Sequence, residues 1–137
     1  MTVLVDTGVL IAGFNRRDRF HRWARRLLRE VFEGRWGPAF TTDYIIDEVL
    51  SYAAARLPGD AGLKLGRLFF EEKVLRVIPV TMDIVLRAWR LYERHYPGLS
   101  FTDATTLAVA DVYEIDYIAT VEKEGLLAKL HPSLTPP

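Results

Sequence analysis

The chain has 137 residues, half of them apolar, and its 18 lysines and arginines balance 18 aspartates and glutamates. That length and composition suit one domain with a substantial core; the balanced charge gives no net pull on a polyanion, and the lack of cysteine excludes disulfides, thiolate nucleophiles and cysteine-ligated metal centres. No apolar run reaches the roughly 18 residues of a membrane span, and Asp6 interrupts the N-terminal apolar stretch too early for a signal-peptide core, so a cytoplasmic location is expected.

The opening run Thr2–Val5 is short, β-branched and continuously apolar, as a strand covered on both faces of a parallel sheet would be, and it ends on Asp6. Between Asp18 and Glu33 the residues Phe20, Ala24, Leu27, Leu28 and Val31 recur at helical spacing, with Arg22, Arg25, Arg26 and Arg29 on the opposite face. Seven arginines stand between Arg16 and Arg29 against one aspartate, Asp18. Guanidinium groups suit bidentate phosphate recognition, so the four stripe arginines are candidate phosphate contacts beside their ordinary role as a solvated helix face.

Gly34, Gly37 and Pro38 break this helix, Ala39–Thr41 is a brief extended piece, and Thr41 or Thr42 can cap a helix over about Asp43–Arg56 that carries Glu48. After Pro58 and Gly59, a helix is predicted over Asp60–Lys73, with Gly62 and Gly66 spaced to let another helix approach closely. Val74–Val80 reads as a second buried strand ending at Pro79. Thr81 can cap a helix to about His95, and Ser100-Phe101-Thr102-Asp103 has the form of a capping box opening a helix to about Tyr113. Tyr117–Thr120 is predicted as the last short strand, followed by a helix near Gly125–Lys129. Strands alternating with helices imply a three-layer α/β/α fold around a central parallel sheet, with no internal repeat or linker.

In an open parallel sheet, ligands bind outside the carboxyl ends of the strands, so each acid can be sorted by the end it occupies. Asp6 closes the first strand and Glu122 follows the last one. Asp103 lies in the first turn of its helix and Glu48 in the first two turns of its own, the ends that face the same edge. Asp116 precedes its strand and belongs about 13 Å away at strand rise, while Asp111 lies about 12 Å along its helix from Asp103. Geometry leaves Asp43 and Asp47 open. A charged group ending a buried apolar strand needs a partner or a metal. Several gathered carboxylates repel one another unless a hard divalent cation holds them together, so Mg²⁺ or Mn²⁺ is the natural occupant. Metal held this way can activate water against a phosphodiester, which is nuclease chemistry.

The motifs Val5-Asp6-Thr7, Asp47-Glu48-Val49-Leu50, Ser100-Phe101-Thr102-Asp103-Ala104 and Ile118-Ala119-Thr120-Val121-Glu122 resemble the PIN-domain family in order and spacing over nearly the whole chain. The resemblance implies a metal-dependent ribonuclease, similar in size to the VapC-type toxins, with Asp6, Glu48, Asp103 and Glu122 as metal ligands and Thr7 and Thr120 as supporting hydroxyls. It further implies an RNA substrate, a homodimer and a protein antitoxin. Two departures stand out: Gly8, where many relatives carry a small polar residue, and Glu122, where aspartate is commoner and where Glu124 could share or replace the role.

His21, His95 and His131 lack metal-ligand spacing, and no glycine-rich phosphate loop or Ser-His-Asp set is present. The absence of glutamine, a single asparagine and the excess of arginine over lysine point to a heat-adapted source. Two rival readings are a PIN-like module that binds RNA or protein after losing efficient catalysis, and a receiver-like domain, which would need a functional lysine near its final strand where only Lys123 is available.

Overall fold

The computed structural model describes residues 1–137. Five parallel strands form one sheet: β1 (Val3–Val5), β2 (Ala39–Thr42), β3 (Arg76–Ile78), β4 (Tyr117–Ala119) and β5 (Ser133–Leu134), in the order β3-β2-β1-β4-β5. The helices are α1 (Thr7–Phe14), α2 (His21–Phe32), α3 (Asp43–Arg56), α4 (Ala61–Arg67), α5 (Met82–His95), α6 (Phe101–Val112) and α7 (Leu126–Leu130). No helix is long and apolar enough to cross a membrane.

The pleat of β1 separates two cores. Val3 and Val5 pack with the buried faces of α1, α2, α3 and α4, while Leu4 packs with Ile118 and the buried residues of α5, α6 and α7. Alternate side chains of a strand leave opposite faces of its sheet, so these contacts make the sheet the middle of three layers. That matches the expected α/β/α architecture.

Several boundaries differ from the sequence reading. The run over residues 74–80 shortens to β3, an edge strand with Arg76 and Val77 exposed and only Ile78 buried, not a strand covered on both faces. β4 is not the last strand, because β5 follows and pairs with it. The helix expected from Asp60 to Lys73 holds regular geometry only to Arg67, then loosens into a wider turn, Leu68–Glu72, closed by Lys73 at φ 53°. Within α4 the glycine spacing does what it suggested: a Cβ on Gly62 would lie 3.4 Å from the Cβ of Ala53 on α3. The α2 helix starts at His21 rather than Asp18, whose carboxylate accepts the Phe20 amide at 2.8 Å in the preceding turn.

Winding sets the functional end. From β1 the chain steps outward to β2 and β3, then returns to place β4 on the other side of β1. The β1–β4 boundary is therefore a topological switch point, where the loops at the carboxyl ends diverge and leave a crevice. Val5 pairs with Ala119 there, and the Asp6 amide donates to the Ala119 carbonyl at 3.0 Å.

Candidate active site

Asp6 stands at the switch point between the last residue of β1 and the first of α1. Its carbonyl accepts the amides of Val9 and Leu10 at 3.2 and 3.4 Å, but its side chain makes no capping bond. The residue is 8% exposed, and its Oδ1 has no hydrogen-bond partner. Asp103 lies in the first turn of α6, where Ser100 Oγ accepts its amide at 3.1 Å. The return bond of a capping box, from the Ser100 amide to the Asp103 carboxylate, is not made.

Glu48 is presented by α3, whose start is fixed twice: Thr42 Oγ1 accepts the Ile45 amide at 3.1 Å, and Asp43 Oδ1 accepts the Val80 amide at 2.9 Å. Glu122 follows β4 in a tight turn in which its amide donates to Thr120 Oγ1 at 3.2 Å and its carbonyl accepts the Gly125 amide at 3.1 Å. The Glu122 side chain folds over Gly125, where a Cβ would lie 2.9 Å from Oε2.

The electrostatics tie the four acids together. Burial raises the Asp6 pKa to about 7, reinforced by the charges of Asp103, Glu48 and Glu122 and opposed by the Thr7 amide that bonds to it. Asp103 is raised to about 6 by burial and then by Glu122 and Glu48, with the Ser100 hydroxyl opposing. Both shifts come from the same two physical causes, desolvation and like charge. The four acids expected from the sequence thus lie close enough for Glu48 and Glu122 to act on both aspartates.

The donor set suits a hard cation: it is all oxygen, and Oδ1 of Asp6 and Oγ1 of Thr7 are buried without partners. As the side chains stand, no three acids converge into a closed coordination shell. Glu48 and Glu122 are exposed, so they are the arms that would have to swing inward.

The remaining acids have other partners or positions. Asp47 accepts the Ser51 hydroxyl at 3.4 Å and Asp43 is held by Val80; both line the cleft that holds Glu48, but neither is among the charges that raise Asp6 or Asp103. Asp116 lies at the far edge, accepting the amide of Thr2 at 2.8 Å. Glu124 is exposed and is not among the charges that raise Asp6 or Asp103, so nothing here gives it a share of Glu122's place. Gly8 has a packing reason beyond the loss of a polar group: a Cβ there would come within 2.7 Å of Val121 Cγ2, so glycine lets α1 lie against the loop that carries Glu122. His21 bonds through Nδ1 to the Ala12 carbonyl at 2.7 Å, a link between α1 and α2.

The arginine stripe divides. Arg25 and Arg29 line a cleft with Phe14 and Lys64, whereas Arg22 and Arg26 line a groove with Trp23, Trp36 and the C-terminal residues. Sequence reasoning passed over Arg19, which lines both that groove and the pocket beside Glu122; it lies before the helix begins, outside the periodic stripe. It also passed over Tyr44 and Thr102, which share a cleft with Glu48. Tyr44 stands four residues before Glu48, a spacing that puts both on one helix face.

The sequence profile of the PIN domain matches residues 3–129. The chain belongs to the PIN-domain family. A VapC ribonuclease of Archaeoglobus fulgidus is 30% identical over 125 residues, covering 87% of this chain and 76% of the relative. Among solved structures, VapC20 of Mycobacterium tuberculosis, a sarcin-ricin-loop-cleaving toxin, shares the fold with a TM-score of 0.81 at 24% identity, over 93% of this chain and 94% of that one. A chain of a Klebsiella pneumoniae toxin-antitoxin complex shares it with a TM-score of 0.70 at 23% identity, over 98% of each.

Proposed function

We propose that this PIN domain is a divalent-metal-dependent endoribonuclease, the toxin of a toxin-antitoxin pair, with Asp6, Glu48, Asp103 and Glu122 as its catalytic acids. The observation that carries the reading is a buried carboxyl, Asp6, at the sheet's switch point, with an unpartnered oxygen and a pKa pushed up to about 7 by burial and three neighbouring acids. A structure that keeps so many like charges together needs a cation to offset them. The ribonuclease relative and the toxin structures support the substrate class and an antitoxin partner.

Asp6, Asp103, Glu48 and Glu122 would hold Mg²⁺ or Mn²⁺, which when bound supplies an activated water and offsets phosphodiester charge. Asp6 is the rigid member, fixed between strand and helix. Asp103 adds its charge from the N-terminal turn of α6, where the helix dipole favours an anion. Glu48 and Glu122 are long and solvated, and can adjust as substrate enters. Thr7 offers a hydroxyl beside Asp6, while the Thr120 hydroxyl fixes the turn bearing Glu122.

The purified chain is expected to cut a single-stranded RNA in Mg²⁺ or Mn²⁺, to stop when a chelator removes the ion, and to lose about a hundredfold to a thousandfold in rate on Asp6→Asn, in line with removal of an electrostatic catalytic group. Glu122→Gln should cost less, because that residue is exposed. Cleavage that persists in chelator, or that survives Asp6→Asn unchanged, would remove the reading; RNA binding without any cleavage would favour a binding module.

A further inference from the structure

None of the seven arginines between Arg16 and Arg29 takes part in a salt bridge; the only pairs are Arg35 with Glu33 and Lys64 with Asp60. Unpaired guanidinium groups on one face leave an anion site open, and the two sides of α2 offer different ones. On one side, the groove holding Arg22 and Arg26 shares Arg19, Phe20, Pro136 and Pro137 with the pocket that contains Glu122. These two depressions are one trough, running from a catalytic acid along α2. On the other side, the cleft with Arg25 and Arg29 has no residue in common with the trough.

We propose that this trough is the path of the single-stranded RNA leaving the catalytic acids, with Arg19, Arg22 and Arg26 on its phosphates and Arg25 and Arg29 excluded from it. The inference rests on the ribonuclease reading above. Arg19 is the hinge of the argument, because it belongs to both halves of the trough and is held with its guanidinium 4.5 Å from the centre of the Phe20 ring. Arg22 and Arg26 stand four residues apart on α2, which puts them on one side of that helix, while Arg19 precedes the helix and meets them through the groove lining they share.

The trough holds four acids against four cations, but three of the acids, Asp18, Glu122 and Glu124, lie at its catalytic end. Glu30 accepts the Trp36 indole N–H at 3.2 Å, and Asp18 accepts the Phe20 amide at 2.8 Å; Glu122 and Glu124 are at the catalytic end beside Lys123. Cationic side chains therefore dominate away from the acids, as a strand leaving the site requires. Trp23 and Trp36, half-buried against the core in the same groove, leave part of their rings as faces against which unstacked bases can rest without sequence preference. A duplex would have no use for such faces, so the substrate class implied is single-stranded RNA.

The test is binding of a labelled single-stranded RNA of about a dozen nucleotides to the cleavage-silenced Asp6→Asn chain over a range of salt. Relative to that parent, Arg19→Ala, Arg22→Ala and Arg26→Ala together should weaken binding at least about tenfold at moderate salt and reduce the slope of log affinity against log salt by about 2, since each single-strand phosphate contact contributes about 0.7. The triple lysine variant should keep most of that slope, and Arg25→Ala with Arg29→Ala should stay within about twofold of the parent. Equal losses from both sets, or none from the trough set in a folded protein, would overturn the proposal. So would a trough variant that binds RNA normally but loses binding to poly-glutamate, which would assign the arginines to an acidic protein partner. Failure of metal-dependent cleavage with the trough pattern intact would instead count against the catalytic reading alone.

Discussion

Asp6 and Asp103 carry the strongest testable chemistry of individual residues. Both titrate higher in the fold, at about 7 and about 6, than the 3.8 of an unperturbed aspartate. The folded chain therefore holds protons that the unfolded chain has released, so their contribution favours the fold fully below about pH 4 and is lost as pH rises through 6 and 7. Metal-free protein is expected to melt at a lower temperature at pH 8 than at pH 5.5, with Asp6→Asn narrowing the difference; thermal scans in chelator showing an equal or higher melting temperature at pH 8 would contradict this. Saturating Mg²⁺ should narrow it too, because the ion competes with those protons. The two aspartates were legible in the sequence because a charge closing an apolar strand and an acid in a helix's first turn are local patterns. Glu48 was not separable from Asp47 by helix position, and the pocket that Arg19 shares with Glu122 arises only from the tertiary fold.

Among the elements, those with a strong period were readable and those without one were not. The α2 stripe and the capped starts of α3 and α6 could be placed from side-chain spacing and cap chemistry. The α1 helix could not, because Thr7–Phe14 is almost wholly apolar and begins directly after Asp6, so neither alternation nor a helical stripe marks it. The two-residue β5 is likewise too short to carry a pattern, and β3 was misjudged because apolar composition does not reveal that a strand sits at an edge. The contact between α1 and the loop after β4 gives an element-level prediction. Gly8→Ala should change stability by no more than about 1 kcal/mol, since the helix propensity gained by alanine offsets some of the strain against Val121. It should reduce RNA cleavage more than about tenfold, because relieving that contact displaces the turn bearing Glu122. Chemical denaturation and initial cleavage rates measured on the same variant would check it; a fall in stability with normal activity would show that Gly8 matters only for packing.

For the whole molecule, alternating strands and helices made the three-layer parallel architecture legible, and it is the strand order that brings scattered acids to one edge of the sheet. Asp6, Glu48, Asp103 and Glu122 come from four separate segments, and only the return of β4 beside β1 brings the first and last together at the carboxyl edge. The central claim is that these acids form one cation site. Its most direct test is Mn²⁺ binding at pH 8, followed by the paramagnetic resonance of the free ion, for the wild-type chain and the variants Asp6→Asn, Asp103→Asn and Asp47→Asn. Saturable binding that weakens at least about tenfold in Asp6→Asn and Asp103→Asn, a loss in the range seen when a metal site's supporting groups are removed, and that is unchanged in Asp47→Asn, is the expected result. Wild-type affinity in the folded Asp6→Asn protein would contradict the account.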